Sequence, residues 1–545
     1  MIAIFSALGY LAILFGVAYY AEYRQRKKRS IINNGYVYAL SLTVYCTAWT
    51  YYGSVGRAAS NGMEFLAIYL GPTIAAVLFW PVLHKMIRIC RTQRINSIAD
   101  LISTRYGKNF SIAVVVTILC VVGIIPYVSL QLKAISSSIH ILTGSSLQEM
   151  SLNNFWRDDT FYISLILSFF IILFGTRSID ASEKHEGLVA AVAFESIIKL
   201  LAFLAAGIFV VYGIFNGFGD IFSKAWHAES LKGLFQLSNT TSYATWLGLM
   251  MVSMLAVFFL PRQFQVSVVE NIQERHLNKA TWLFPLYLLL INIFVLPIAL
   301  GGKLIFAGQG VDADTFVLAL PLHFNQSWLG LFVFIGGFSA ATSMIIVETI
   351  ALSTMVSNNI AMPVFLSAQK FKPSPEGTFS RSIIQIRRFS MVIIIALAYL
   401  YDKIIAQNFS LVSLGLVSFA AVAQFAPATL GGIYWKGASK NGAMAGICTG
   451  FVIWFFTLVV PSMVSAHVLS DSILTEGLFG SSWLKPYSLF GMEGMDSITH
   501  SVFWSLLCNV LVFVTVSLNT KRNAEEIYQG EIFVDIFKHS ASPAA

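Results

Sequence analysis

The chain has 545 residues, 57% of them hydrophobic and 11% charged, with a mean hydropathy of +0.72 and a formal net charge of +8. An ordinary soluble domain carries about 25% charged residues, so a chain this apolar cannot cover a water-facing surface. The composition excludes a soluble enzyme, a nucleic-acid-binding protein and a disordered chain, and leaves an all-α polytopic membrane protein.

A helix needs roughly 20 mostly apolar residues to span a bilayer. Thirteen candidates follow in chain order: 3–22, 36–56, 65–88, 110–142, 160–177, 187–215, 243–262, 280–306, 329–357, 389–405, 409–433, 441–462 and 498–519. Long unbroken runs of this kind differ from the alternating strands of an outer-membrane barrel. The first run has no basic stretch ahead of it and is followed by Arg24, Arg26, Lys27, Lys28 and Arg29. That order argues against a cleavable signal peptide, holds this flank in the cytoplasm and puts the N-terminus outside. With that orientation most of the 35 Lys and Arg residues, Arg262 among them, fall inside. Only Arg57, Arg157, Lys224, Lys232, Lys303, Lys403 and Lys485 fall outside, and an odd number of spans leaves the C-terminus inside. The basic excess is therefore read as an orientation signal, with no nucleic-acid partner.

The second segment is polar and aromatic for a lipid-facing span: Thr43, Tyr45, Cys46, Thr47, Trp49, Thr50, Tyr51, Tyr52, Gly53, Ser54 and Gly56. Interrupted helices of this kind point to a transporter's midplane site; an aromatic belt with small-residue packing is the competing reading. Between the third and fourth segments, Ser97-Ile-Ala-Asp100 predicts a capped amphipathic helix lying at the cytoplasmic interface. Ionisable residues at bilayer depth are costly and mark pathways or internal pairs. Lys133 on the fourth segment has no partner on its own helix, so it is expected to face a polar cavity or reach Glu195 or Glu348. Glu195 and Lys199 on the sixth segment share a face at i, i+4 and can pair there. The ninth segment carries Gly336-Gly-Phe-Ser-Ala-Ala-Thr-Ser343 and then Glu348, and the eleventh carries Gln424-Phe-Ala-Pro427. Five dispersed cysteines and nine dispersed histidines form no disulfide framework, metal cluster or nucleophile–base pair, so an enzyme is not expected.

These residues resemble the sodium/solute symporter family of the LeuT fold. The likeness rests on Gly53 and Gly56, Gln131, Pro261-Arg-Gln-Phe264, Ser339 to Ser343, Gln424-Phe-Ala-Pro427, Trp435-Lys436, Gly442 to Gly446 and Ser97 to Gly107, over nearly all of 1–520. Tyr45-Cys-Thr-Ala-Trp-Thr-Tyr-Tyr-Gly53, Gln131-Leu-Lys133 and Leu260-Pro-Arg-Gln-Phe264 look like the symporter-type domain of bacterial sensor histidine kinases of the histidine-responsive carbon-source type. The resemblance implies two five-helix inverted repeats, the second to sixth and seventh to eleventh segments, working by alternating access. It implies a small-molecule substrate, an amino acid by preference, held at Trp49, Gly53, Gln131, Lys133 and Gln424. Ion-coupling candidates are Thr43, Cys46, Ala340, Ala341, Ser343, Glu195, Lys199 and Glu348.

The sodium pattern of that family is incomplete here. Aligning Ala340-Ala341 with the family's small pair puts Met344 and Ile345 where hydroxyls are expected, and leaves Ser343 as the nearby oxygen. The coupling ion is thus open between Na+, at Ala340, Ala341 and Ser343, and H+, through Glu195, Glu348 or Lys133; no other cofactor is expected. Residues 521–545 read as a short cytoplasmic tail after a transmembrane domain at 1–520, with no phospho-acceptor histidine segment and no nucleotide lid. Two functions follow: a multi-pass secondary transporter of the inner membrane, or a solute-sensing module that signals to a separate kinase or partner through the tail.

Overall fold

The computed structural model describes residues 2–144, 156, 158–175, 185–235, 243–367 and 378–539, and every regular element among them is helical. Among the described residues, nine helices are long and apolar enough to cross a membrane, or up to eleven if each of two bent pairs counts as one span. The expected segment at 160–177 corresponds to a shorter apolar helix, Asp159–Gly175. Helix ends follow local chemistry. Phe110–Thr143 starts where the Asn109 side chain accepts from the Ile112 amide and stops at Gly144, whose φ of 65° suits glycine.

The spans Ser327–Val364 and Leu411–Tyr434 are the most enclosed. Ile4–Arg26, Ser382–Ile404 and Ser497–Asn519 stand at the periphery with most of their apolar surface outward, as lipid contact requires. Among the described residues there are six π-helical stretches: Trp49–Gly53, Phe79–Leu83, Phe209–Ile214, Gln265–Val269, Ser357–Ala361 and Phe455–Val459. Close approach requires glycine at position 56, where a Cβ would lie 1.8 Å from Asp314 Oδ1.

Two expectations about the loops change. The Ser97 hydroxyl does cap the Ile98–Arg105 helix, accepting from the Asp100 amide at 3.1 Å. The helix does not lie open on the interface, however: Ile98, Ala99, Leu101, Ile102 and Arg105 are all buried. Arg105 donates to the carbonyls of Gly432 (2.5 Å) and Trp435 (3.0 Å), and its guanidinium lies close to Gly530. What covers it is part of the expected tail. Residues Ala524–Val534 form a helix opened by a reciprocal Asn523–Glu526 capping box. Phe533 and Ile536 are fully buried, Lys85 Nζ donates to the Val534 carbonyl (2.9 Å), and Glu526 accepts from the Lys440 amide (2.9 Å). The described part of the tail is packed onto the bundle.

Candidate functional site

Among the described residues, two of the helix breaks lie side by side inside the bundle, and the reasons are local. In the first, Gly35–Leu42 passes through a tight turn at Thr43–Tyr45, opens at Cys46 (φ −81°, ψ 102°) and resumes in Trp49–Gly53 and Ser54–Asn61. The Thr47 hydroxyl accepts from the Trp49 amide at 3.2 Å, a side-chain bond that competes with the helical ladder. In the second, Tyr243–Phe259 ends at Leu260 (φ −64°, ψ 130°), and Pro261–Val269 leaves at 50°. Proline disfavours the helical conformation in the residue before it, and Leu260 takes the extended conformation at this break.

Backbone groups freed at the first break find partners on neighbouring helices. The Gln131 amide oxygen accepts from the Ala48 N–H (3.1 Å), and Tyr127 shares a hydrogen bond with Thr47 Oγ1 (3.0 Å). The Lys199 ammonium donates to the carbonyls of Thr43 (2.8 Å) and Cys46 (2.6 Å) with no exposed surface. Glu195, one turn before it, accepts from Thr342 Oγ1 at 3.1 Å, and Ser339 Oγ donates to the Glu195 carbonyl at 3.2 Å. The expected Glu195–Lys199 pair therefore divides between two helices instead of closing on itself.

At the second break, Arg262 Nη1 pairs with Glu348 Oε2 at 3.0 Å, and both side chains are fully buried. The guanidinium lies over the Tyr127 ring, 4.5 Å from its centroid. Arg262 therefore does not belong with the inside-loop charges; a lone arginine after a proline at the end of an apolar run reads as a flank, and its partner is 86 residues away. Gln263 Nε2 bonds the Leu42 carbonyl (3.0 Å), tying the two breaks together. Trp49, Tyr127, Phe419 and Tyr45 form an aromatic cluster there, with ring centroids 4.9 Å apart for Trp49–Phe419 and 5.5 Å for Tyr127–Phe419. Trp49 Nε1, Arg262 Nε, Gln263 Oε1 and Glu348 Oε1 have no hydrogen-bond partner. Such unpaired polar atoms beside a break are groups that a bound polar solute can satisfy.

The other expected residues lie as follows. Gly53 stands one turn beyond Trp49, close to Leu411 and Val412. Ala340 and Ala341 are buried in the Ser327–Val356 helix, and Ser343 Oγ bonds the Ala340 carbonyl of its own helix (3.3 Å). Lys133 reaches neither Glu195 nor Glu348. Its ammonium caps the carbonyls of Ala406 (2.9 Å) and Phe409 (2.7 Å), beside a small pocket lined also by Tyr52, Asp312 and Asp314. Asp314 Oδ2 accepts from the Leu411 amide (3.1 Å); burial, then the neighbouring Asp312, push its carboxyl up to about 7. Gln424 is turned away from both breaks, bonded to Ser505 (2.8 Å) and to Asn509. Tyr127, Arg262, Gln263 and Asp314 join the site without having been expected; a charge within the Pro261-Arg-Gln-Phe264 run was the available signal for Arg262.

No protein-family model matches the chain. It is 23% identical over 426 residues to the uncharacterized symporter YhjB of Bacillus subtilis (strain 168), covering 76% of this chain and 79% of that one. It is 23% identical over 429 residues to the uncharacterized symporter YodF of the same organism, with 76% and 78% covered. Among solved structures, a substrate-bound, outward-open Na+-coupled sialic acid symporter matches with a TM-score of 0.64 and 13% identity, over 96% of this chain and 98% of that one. The relatives and the structural neighbour are transporters, not enzymes.

Proposed function

We propose that the protein is a secondary transporter of the inner membrane that moves a small polar organic solute, an amino acid by preference, by alternating access. In this reading all thirteen segments span, the N-terminus is outside, and the C-terminus is inside. The second to sixth and seventh to eleventh segments form the two inverted repeats. The observation that carries it is the meeting of two broken helices through the Gln263–Leu42 bond, with unpaired polar atoms and aromatic rings gathered beside the breaks. Non-helical backbone at membrane depth is tolerated only where it is buried in protein or lines a cavity.

Substrate sits between Trp49, Gly53, Tyr127, Gln131 and Arg262. Arg262 uses Nη1 on Glu348 and keeps Nε and Nη2 for a solute carboxylate, the paired donors of a guanidinium fork. Lys133, with Asp314, belongs to the outer mouth in this orientation, and Gln424 ties its own span to the Ser497–Asn519 helix. Rocking of the repeats exposes the same groups first to one side and then to the other.

A thermal-shift screen of the purified protein against amino acids and organic acids, followed by counterflow of labelled hits in proteoliposomes, tests this. One chemical class is expected to raise the melting temperature and to exchange across the bilayer, and Arg262→Met to abolish both. A screen in which no amino or organic acid shifts the transition or exchanges refutes the reading.

A further inference from the structure

We propose that the loop 466–496 is an interfacial membrane anchor, laying Phe479, Trp483 and Phe490 into the headgroup–acyl boundary of the bilayer. The inference rests on membrane embedding alone and is independent of the solute that is moved. In the orientation proposed above, the leaflet is the outer one.

The loop joins the spans Lys440–Ser465 and Ser497–Asn519. It contains one tripeptide twice, Leu478-Phe-Gly480 and Leu489-Phe-Gly491. Both form the same tight turn. Phe479 and Phe490 each take φ 57° and ψ 26°, and Gly480 and Gly491 follow at φ 73° and 77°. The Ser481 amide closes the first turn on the Leu478 carbonyl (3.2 Å), and the Met492 amide closes the second on Leu489 (3.3 Å). Two left-handed residues in succession make a type I′ turn, whose first central position favours Asn, Asp or Gly. A bulky side chain there is strained, and strain of this kind persists where another interaction offsets it.

Phe479 finds no such offset inside the chain, because it is 93% exposed, and Trp483 nearby is 66% exposed. Phe490 shows where this surface leads. Its ring centroid lies 4.9 Å from that of Trp504, and Trp504 lies 5.3 Å from Phe503. Phe503, Leu507, Val510 and Leu511 are exposed on the last span, which stands at the periphery of the bundle. Ser482–Leu484 packs against Leu489–Gly491, which brings the segments bearing Trp483 and Phe490 together. The aromatic patch is thus continuous with surface that lipid covers. Aromatic side chains concentrate at the membrane–water boundary, so the bilayer interface is the partner this chemistry fits.

The backbone suits the same place. The amides of Gly480, Ser481, Leu484, Ser488 and Gly491 all bond carbonyls within the loop, and the Leu489 amide bonds the buried His500 ring (3.1 Å). Amides already paired cost less to take out of water. Charge is not the attraction: Asp471, Glu476, Glu493 and Asp496 outnumber Lys485, so the loop has no preference for anionic headgroups. Apolar area is what holds it.

The test uses the full-length protein in phosphatidylcholine nanodiscs, with the two partly exposed cysteines, Cys448 and Cys508, changed to serine. Nitroxides are attached at Phe479→Cys and Trp483→Cys, and at Asp471→Cys as the water-facing reference. Collisions with oxygen, which partitions into lipid, are compared with collisions with a water-soluble nickel chelate. Oxygen is expected to dominate at 479 and 483 and nickel at 471, with no change when phosphatidylglycerol is added. Nickel access at 479 and 483 equal to that at 471 overturns the proposal, and is the result if the patch is kept for a partner protein. Oxygen access that needs phosphatidylglycerol overturns it as well. A second measurement needs no label. In Phe479→Asn with Trp483→Ser, asparagine suits the turn better than phenylalanine, so a purely structural role leaves hydrogen exchange of the amides at 478–492 unchanged or slower. Loss of lipid cover makes that exchange faster than in the wild type, which is the expected result; unchanged or slower exchange refutes the anchor.

Discussion

Removing Glu348 alone is expected to be among the most damaging single changes in the bundle. The pair Arg262 Nη1–Glu348 Oε2 is 3.0 Å long and neither side chain has exposed surface. Glu348→Leu leaves a buried guanidinium without a counter-charge, which costs about 3–5 kcal/mol. Arg262→Met leaves the carboxylate alone at a similar cost and also removes the cation–π contact over Tyr127, worth about 0.5–2 kcal/mol. The double variant buries two apolar side chains in place of two charges and loses only the ring contact. It is therefore expected to be more stable than either single variant. Titration of SDS into mixed micelles, read by circular dichroism, gives the free energies directly and closes the double-mutant cycle. The reasoning is refuted if either single variant stays within about 1 kcal/mol of wild type, or if the double variant costs the sum of the two singles.

Three further outcomes follow from neighbouring features. Asp314 has its carboxyl raised from 3.8 to about 7 by burial, so the stability linked to its proton is fully present below pH 3.8 and is lost as pH rises through about 7. Melting curves across that window should slope in the wild type and flatten in Asp314→Asn. Gly56→Ala places a Cβ 1.8 Å from Asp314 Oδ1 and should cost about 1–3 kcal/mol by overpacking, read in the same SDS titration. Glu526→Ala opens the capping box and drops the bond to the Lys440 amide, so the Ala524–Val534 helix should lose about 1 kcal/mol and exchange its amides faster, with the central helices unaffected.

Long spans are legible in a single chain because the bilayer demands a fixed apolar length and leaves little choice of partner for the backbone. The first break was legible too: Thr43, Thr47 and Gly53 are residues that loosen a helix or offer it other bonds. What a side chain reaches across the bundle was not. Glu195 and Lys199 at i, i+4 look self-sufficient, yet the lysine is long enough to serve carbonyls 153 and 156 residues away. Gln424 beside Pro427 looked like a substrate contact, but its amide is satisfied by Ser505 and Asn509 on a later helix. The Asn523-x-x-Glu526 signature in the tail is a legible helix start, and the structure has the capping box there.

The six π-helical stretches have a consequence for how the spans can move. A π stretch is an α-helix carrying one residue more than its turns need. The surplus can be passed along the helix a step at a time, each step exchanging one wide hydrogen bond for one of ordinary register. Once it has passed, the residues it crossed are turned by about 100° around the axis, the angle one residue occupies. Two of the six, Trp49–Gly53 and Gln265–Val269, lie just beyond the two breaks. The half-helices beyond the two breaks can therefore swivel like screws, changing which side chains they present while their ends stay where the neighbouring helices hold them.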